Sequence, residues 1–158
     1  MLPADENEVG RLIDSVATPN APLWPRGWPK LRLDRDLGVG ATGGHGPIRY
    51  SVVEYEPGRR VRFRFSAPKG FDGTHAFELE PHDSGTVLRH VIEMDAVGPG
   101  RLSWTLVFRP LHDAMLEDVM DCAERAVTGA VLAPNRWSLA VRAIRRVLRS
   151  RAPRRKAA

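Results

Sequence analysis

Apolar and polar side chains alternate through four consecutive segments in the middle of the chain. The segments are 48–56, 61–67, 73–80 and 86–95. Alternation with a period of two is the pattern of a strand that buries one face. Short turn sequences between the segments, such as Pro57-Gly58, connect antiparallel neighbours. The pattern therefore predicts an antiparallel sheet with one apolar face and one solvated face.

A long amphipathic segment, residues 101–127, follows the predicted sheet. Its apolar residues recur at steps of three and four, as at Trp104 and Phe108, which predicts a helix with one buried face. Pro110 lies inside this pattern and is expected to kink or divide the helix near residues 106–109. A sheet followed by a covering helix predicts an α+β fold with an apolar space between the two layers.

Five shorter segments flank this core. Residues 5–16 have helical spacing, residues 31–37 suit an edge strand, and the glycine-rich residues 38–47 predict a loop. The four prolines of residues 18–29 exclude a regular helix there. Residues 136–149 form a second amphipathic helix, with apolar residues on one side and arginines on the other.

These patterns divide the chain into four parts. The parts are a ligand-binding domain over 1–128, a linker over 129–135, a basic amphipathic helix over 136–150 and a disordered basic tail over 151–158. The division follows the change from mixed composition to a run rich in arginine.

Charge is distributed unevenly along the chain. The formal net charge is +5, yet residues 136–158 contain eight arginines, one lysine and no acidic residue. The rest of the chain is therefore net acidic, which leaves three partners open for the basic helix. It folds back on the body, binds an anionic membrane surface through residues 136–156, or binds nucleic acid, which the acidic body and the lack of a nucleic-acid motif argue against. In the fold-back arrangement, its arginines face Asp113, Glu117, Asp121 and Glu124.

The composition favours a cytoplasmic protein. The single cysteine, Cys122, cannot form a disulfide within the chain, and it suits packing in the predicted helix better than a nucleophilic role. No apolar run approaches the roughly 20 residues that span a bilayer, and the acidic start differs from a secretory signal. We expect a cytoplasmic location, peripheral at the membrane if the basic helix binds lipid.

Three histidines are the candidate chemical groups. His75 and His90 lie on consecutive predicted strands with the same inward parity, and His112 has the helical phase of the apolar stripe. Inward histidines act as acid–base groups or metal ligands, but more often they are polar points in an apolar cavity. We therefore assign no catalytic residue beyond these three candidates, and we expect no metal.

A glycine motif, Gly38-Val39-Gly40-Ala41-Thr42-Gly43, has the spacing of a dinucleotide-binding loop. Such a loop must open a helix whose N-terminus holds the pyrophosphate. Here a second glycine-rich run and then a predicted strand follow instead. The sequence therefore predicts no nucleotide or other cofactor site.

Three segments resemble a known family. They are Gly44-His45-Gly46-Pro47-Ile48-Arg49-Tyr50, Tyr55-Glu56-Pro57-Gly58-Arg59-Arg60, and Trp104 with Pro110-Leu111-His112-Asp113-Ala114 through Glu117-Asp118. They are similar to the bacterial SRPBCC superfamily, the START-related helix-grip proteins that include polyketide cyclase/dehydrases and lipid-transport proteins. The resemblance implies a seven-stranded antiparallel sheet wrapped around a long C-terminal helix. It also implies a deep cavity for lipids, sterols, polyketides or other apolar molecules, and only some members are enzymes.

The chain departs from this family at its start. The family begins with a strand before the first helix, and Met1 falls about where that strand should end. We therefore expect six strands, or seven if the first strand is present.

These observations favour a protein that binds or transports a small hydrophobic ligand, and an enzyme is the less favoured reading. The alternatives are a cyclase/dehydratase-like enzyme that uses the three histidines, and a membrane-surface protein that acts through the basic helix. The oligomeric state stays open. The expected ligand-binding residues are Trp28, Phe63, Phe65, His75, Phe77, His90, Ile92, Trp104, Phe108, His112, Met115 and Val119.

Overall fold

Six antiparallel strands lie in chain order across one sheet in the computed structural model, which describes residues 1–151. The strands are β1 (Arg32–Leu33), β2 (Thr42–His45), β3 (Ile48–Glu56), β4 (Arg60–Ala67), β5 (Phe71–His82) and β6 (Gly85–Ala96). The four alternating segments of the sequence correspond to β3 through β6, and residues 31–37 contribute the short edge strand β1. The α+β prediction is confirmed.

The helices precede and follow the sheet. They are α1 (Glu6–Asp14), α2 (Pro99–Ser103), α3 (Arg109–Thr128) and α4 (Leu139–Arg151), and a π-helical turn (Trp104–Phe108) joins α2 to α3. The Asp5 side chain caps α1 by accepting a hydrogen bond from the Glu8 backbone N–H at 2.8 Å. Gly129 ends α3 in the left-handed conformation, at φ 80°.

The π-helical turn lies where Pro110 predicted an irregularity. Proline cannot donate a backbone hydrogen bond, and its ring crowds the carbonyl four residues earlier, here that of Leu106. A π-helical turn widens the helix by one residue per turn and relieves this conflict. The segment 99–128 therefore continues as one rod with a local expansion just before Pro110.

The buried core lies at one end of the long helix. Val119 and Ala123 of α3 pack with Val9 and Ile13 of α1 and with Val61 of β4, all nearly inaccessible to solvent. The first half of α3 and the π-helical turn instead face the other part of the sheet across open space. This difference between the two halves of the helix creates the cavity described below.

The prediction of a loop over residues 38–47 is wrong in its second half. Residues 42–45 form β2, which pairs with β1 on one side and with β3 on the other, from Thr42 opposite Ser51 to His45 opposite Ile48. A Cβ on Gly43 would overlap the carbonyl oxygen of Arg32. Glycine here permits two strand backbones to approach closely, so the feature that suggested a loop is a requirement of the strand.

The N-terminal residues reach the outer edge of β6. Leu2 forms an antiparallel bridge with Thr86, with N–H to O distances of 2.8 and 3.0 Å in the two directions. The expected first strand is represented in residues 1–151 by this single bridge. It lies on the strand opposite the β1 edge, before α1 begins.

The basic helix begins at Leu139, three residues later than predicted, and extends to Arg151. Val141 is buried as expected, but Leu148 is half-exposed and Arg145 is only 8% exposed. The prediction that the arginines lie together on the side opposite the buried apolar residues is therefore wrong for Arg145, which is buried with Val141. The predicted disordered tail lies outside the described residues, apart from the end of α4 itself. Across residues 1–151, no helix combines the length and apolar character needed to cross a membrane.

Candidate functional site

A cavity of about 880 Å³ lies between the sheet and the first half of α3. Its volume is within the range of small-molecule sites, roughly 300–1,000 Å³. Four parts of the chain line it. The sheet contributes Phe65, Phe71, His75, Phe77 and His90; the helical rod contributes Trp104, Val107, Phe108, Leu111, His112, Met115 and Leu116. The segment before β1 and the β2–β3 hairpin contribute Trp24, Trp28, Pro29, Leu31, His45, Pro47 and Ile48, and α4 contributes Arg145, Leu148 and Arg149.

Nine of the twelve predicted ligand-binding residues lie on this wall. They are Trp28, Phe65, His75, Phe77, His90, Trp104, Phe108, His112 and Met115. Phe63 is fully buried beneath the wall, with its ring stacked on His75 at 5.0 Å between centroids. Val119 lies one helical turn beyond Met115, where α3 already packs in the core. Ile92 is partly buried but lies outside the wall.

Strand geometry brings two of the histidines into direct contact. In the β5–β6 register, His90 lies opposite Phe77 and His75 lies opposite Ile92, so the two histidines are diagonal neighbours on the inward face. His75 Nδ1 and His90 Nε2 are 3.2 Å apart. The ring of His112, from α3, lies 5.1 Å from that of His90 between centroids. We call His75, His90 and His112 the histidine cluster.

A fourth histidine, which the sequence reasoning did not select, borders the cluster. His45 ends β2, and its Nδ1 is 3.1 Å from the hydroxyl oxygen of Tyr50. The Tyr50 ring in turn packs edge-on against His75, at 5.1 Å between centroids. His45 was missed because residues 38–47 were interpreted as a loop, although its place at the end of a strand is what directs it to the cavity.

Burial keeps these imidazoles neutral. It lowers the pKa of His90 to about 3 and that of His45 to about 4, and it lowers the pKa of His75 well below its usual value. Burial also lowers the pKa of His112, although the neighbouring Asp113 carboxylate opposes the shift. A neutral imidazole has one donor and one acceptor nitrogen. The cluster therefore offers polar atoms without charge.

The cluster has unused hydrogen-bonding capacity. His75 Nε2 and His90 Nδ1 are buried and have no hydrogen-bond partner among the residues described. Buried polar atoms without a partner are uncommon, and each calls for an explanation. A polar group on a ligand in the cavity could accept or donate a hydrogen bond at these nitrogens. Within residues 1–151, no group of three or more His, Cys, Asp or Glu side chains is arranged to hold a metal ion.

The basic helix α4 folds back and closes one side of the cavity. The Arg145 guanidinium lies over the rings of both Trp28 and Trp137, 3.9 and 4.1 Å from their centroids, and the two rings meet at 71°. It also donates a hydrogen bond to the carbonyl oxygen of Gly27 at 2.8 Å. We call this arrangement of Arg145, Trp28 and Trp137 the tryptophan clamp.

A single carboxylate of α3 anchors the tryptophan clamp. Asp118 Oδ2 accepts hydrogen bonds from Nε1 of Trp28 at 2.7 Å and of Trp137 at 2.9 Å. Its Oδ1 accepts a hydrogen bond from Asn135 Nδ2 at 2.9 Å. In the described part of the chain, the arginines of α4 form no ion pair with the four acidic residues expected to receive them. Indole and amide groups bind the carboxylates of α3 in place of those arginines. Asp121 Oδ2 also accepts a hydrogen bond from the Asn135 backbone N–H at 2.8 Å.

A second depression, of about 950 Å³, lies on the other side of Trp24 and Trp28, between residues 16–31 and the outer face of α3. Its α3 wall consists of Asp118, Asp121, Cys122, Arg125 and Ala126. Burial raises the pKa of the Cys122 thiol, and the nearby Arg125 opposes this. A protonated thiol is a poor nucleophile, and no histidine lies beside it in this depression. The chemically richer site is the cavity.

Comparison with solved structures identifies the fold. The crystal structure of CalU16 from Micromonospora echinospora has 17% sequence identity over 92% of this chain and 77% of that chain, with a TM-score of 0.57. The solution structure of a Thermobifida fusca protein has 15% identity, covers 79% of this chain and 89% of that one, and has a TM-score of 0.57. The crystal structure of NE0264 from Nitrosomonas europaea has 19% identity, covers 81% of this chain and 90% of that one, and has a TM-score of 0.55.

These similarities show the fold alone, a helix-grip arrangement in which a curved antiparallel sheet lies against a long helix. No family model matches the chain. No curated protein matches it either.

Proposed function

We propose that the protein, as a member of the SRPBCC superfamily, binds a small and largely apolar molecule in the cavity between the sheet and α3. One observation carries this proposal, the cavity of about 880 Å³ with a wall built mainly of aromatic and aliphatic side chains. Burial of apolar surface supplies about 25 cal/mol per Å², less the cost of ordering the ligand and the wall. The histidine cluster supplies hydrogen bonds that orient the polar end of the ligand.

Binding can be tested with a neutral fluorescent probe, N-phenyl-1-naphthylamine, whose emission rises in an apolar site. Replacing Met115 by Trp fills part of the cavity, because this side chain is buried in its wall, and we expect the probe affinity to fall at least about tenfold. Leu106→Trp is the matched control, since Leu106 is 59% exposed on the π-helical turn outside the wall. Absence of probe binding to the unaltered protein, with no co-purified species in native mass spectrometry, would refute the proposal.

The histidine cluster supports a second candidate, an enzyme of the cyclase/dehydratase kind. The observation in its favour is the convergence of three neutral imidazoles, two of them 3.2 Å apart, on the wall of one cavity. A neutral imidazole can take a proton from a carbon next to a carbonyl and return it to a leaving hydroxyl, which releases water. Incubation with a β-hydroxy ketone and detection of the dehydrated product by mass tests this. His75→Gln and His90→Gln should abolish the product while probe binding persists. Turnover by both variants at the rate of the unaltered protein would exclude His75 and His90 from catalysis.

A further inference from the structure

The cavity wall carries charge on one side only. Of the side chains that line it within residues 1–151, Arg145 and Arg149 are the charged ones, and the wall contains no Asp, Glu or Lys. The histidines that line it are neutral because they are buried. Aromatic and aliphatic groups form the rest. A ligand in this cavity therefore meets a positive potential that originates from α4.

The positive charge of Arg145 at this wall is not paired with a carboxylate of the described residues. It is 8% exposed, its Nη2 donates to Gly27, and its buried Nε has no partner among the described residues. Asp118 is the nearby acid, but its oxygens already accept hydrogen bonds from Trp28, Trp137 and Asn135. No carboxylate in the described chain lies within ion-pair distance of Arg145. A buried cation without a partnered anion is costly.

The surrounding groups reinforce this imbalance. Burial, and then the neighbouring Arg149, lower the pKa of Arg145, and Asp118 only partly opposes them. Arginine nevertheless stays protonated in proteins. Its guanidinium packs in the corner formed by two indole rings that meet at 71°, which restricts the directions in which its remaining N–H groups can donate.

We propose that the ligand of this cavity is an amphipathic carboxylate, whose anionic group binds Arg145 with support from Arg149 while its apolar body lies against the aromatic wall. This inference rests on the proposed binding function and names its ligand class. A carboxylate would satisfy the guanidinium donors and balance the cation. The same arrangement disfavours amphiphiles with a positive head, because no acidic side chain of the described wall would receive one.

Displacement of N-phenyl-1-naphthylamine by matched amphiphiles tests the inference at about pH 7.5, where a carboxyl group is ionised. Dodecanoate, dodecanol and dodecylamine share one chain and differ in head group. 2-Naphthoate and its methyl ester form a matched aromatic pair. Comparing this pair with dodecanoate and dodecanol shows whether the cavity prefers an aliphatic or an aromatic acid. We expect the preferred carboxylate to bind about 10- to 100-fold more tightly than its neutral partner, and dodecylamine to bind least.

Variants assign this preference to α4. Arg145→Met keeps a long apolar stem between the indoles and should remove most of the carboxylate preference, whereas Arg145→Lys should keep part of it. Arg146→Met is the matched control, because Arg146 is exposed on the same helix outside the wall. Arg149→Met, at an exposed position, should lower carboxylate affinity about three- to tenfold and does not depend on the tryptophan clamp.

The outcomes separate the two proposals. Equal affinity of the unaltered protein for carboxylates and their neutral partners would overturn the inference and leave the binding function intact. Equal loss of both ligand types in Arg145→Met, with no selective loss in Arg149→Met, would also overturn it. Failure of the probe and of every amphiphile to bind would refute the binding function, and this inference with it.

Discussion

The two polar regions of the cavity wall are built on opposite principles. The histidine cluster lies mainly on the sheet, where strand pairing fixes His75 and His90 as diagonal neighbours and burial keeps them neutral. The tryptophan clamp joins an appended helix to the body through Arg145 of α4, which stays charged and contacts two indoles and a carbonyl that lie outside this helix. The sheet thus supplies hydrogen-bonding specificity without charge, and the appended helix supplies the charge.

The sheet region depends on the core beneath it. Phe63 is fully buried and stacks under His75, so Phe63→Ala should create a cavity and lower the free energy of unfolding by about 3–5 kcal/mol. Urea denaturation measures this change. Val53→Ala is the control, because Val53 is 41% exposed on β3, and it should cost less than about 1 kcal/mol. Similar losses of unfolding free energy in the two variants would show that the packing of Phe63 does not support the histidine cluster.

The appended region depends on Asp118. Removal of its carboxylate in Asp118→Ala leaves two indole N–H groups and the Asn135 amide without their acceptor, and we expect a loss of about 2–3 kcal/mol. The change should also raise the solvent exposure of Trp137, measured by fluorescence quenching. Glu117→Ala, one residue away and exposed, is the control. Unchanged quenching in Asp118→Ala would mean that α4 is held by other contacts.

Acid should lower the free energy of unfolding through the histidine cluster. Burial lowers the pKa of His90 to about 3 from an unfolded value of about 6.5, so the unfolded chain binds more protons between these values. The contribution of neutral His90 to the free energy of unfolding is therefore fully present above about pH 6.5. It decreases toward pH 3, by up to about 1.4 kcal/mol per pH unit. Denaturation at a series of pH values should show a shallower slope for His90→Gln than for the exposed-site control His82→Gln. Parallel slopes would contradict the neutral state of His90.

The smallest effect concerns the outer face of α4. Leu139, Val147 and Leu148 are exposed, but Val141 is buried against the body. We predict that α4 binds anionic vesicles mainly through its exposed arginines, with about 1 kcal/mol per charge. Co-sedimentation with phosphatidylserine vesicles should therefore be weak and should disappear at high salt. Arg142→Gln combined with Arg146→Gln should reduce it, and removal of residues 136–158 should abolish it. Salt-resistant binding would instead indicate that the apolar side of α4 leaves the body and inserts.

The sequence predicted the sheet region well because alternation is a local signal with a direct structural meaning. The inward parity of His75 and His90 follows from counting residues along two strands, and the structure has them in contact. The phase of His112 in the helix is equally local. By contrast, β2 could not be predicted. Glycine is required at position 43 because the backbone of Arg32 on the neighbouring strand leaves no room for a side chain, and this contact cannot be inferred from the composition of residues 38–47.

The appended region could not be predicted for a similar reason. An amphipathic pattern assigns arginine to the solvated side of a helix by default, and the burial of Arg145 depends on Trp28, which lies more than a hundred residues earlier in the chain. The role of Asp118 was hidden too, since its partners are indoles and an amide, not the arginines expected to face α3. Complementary charge alone therefore predicted the wrong partners for Asp118, because pairing through aromatic rings depends on the fold.

The π-helical turn at Trp104–Phe108 makes the shape of the cavity adjustable by chain length. Each residue in a helix turns the chain by about 100°, so deletion of one residue from this turn would return it to an α-helix. Because the π-helical turn holds one residue more than an α-helical turn, the helix on either side would keep its rotational phase, and only the side chains of residues 104–108 would be redistributed around the rod axis. His112 and Met115, which follow the turn, would stay in place. A single insertion or deletion at this point could thus resize one end of the cavity without altering the sheet.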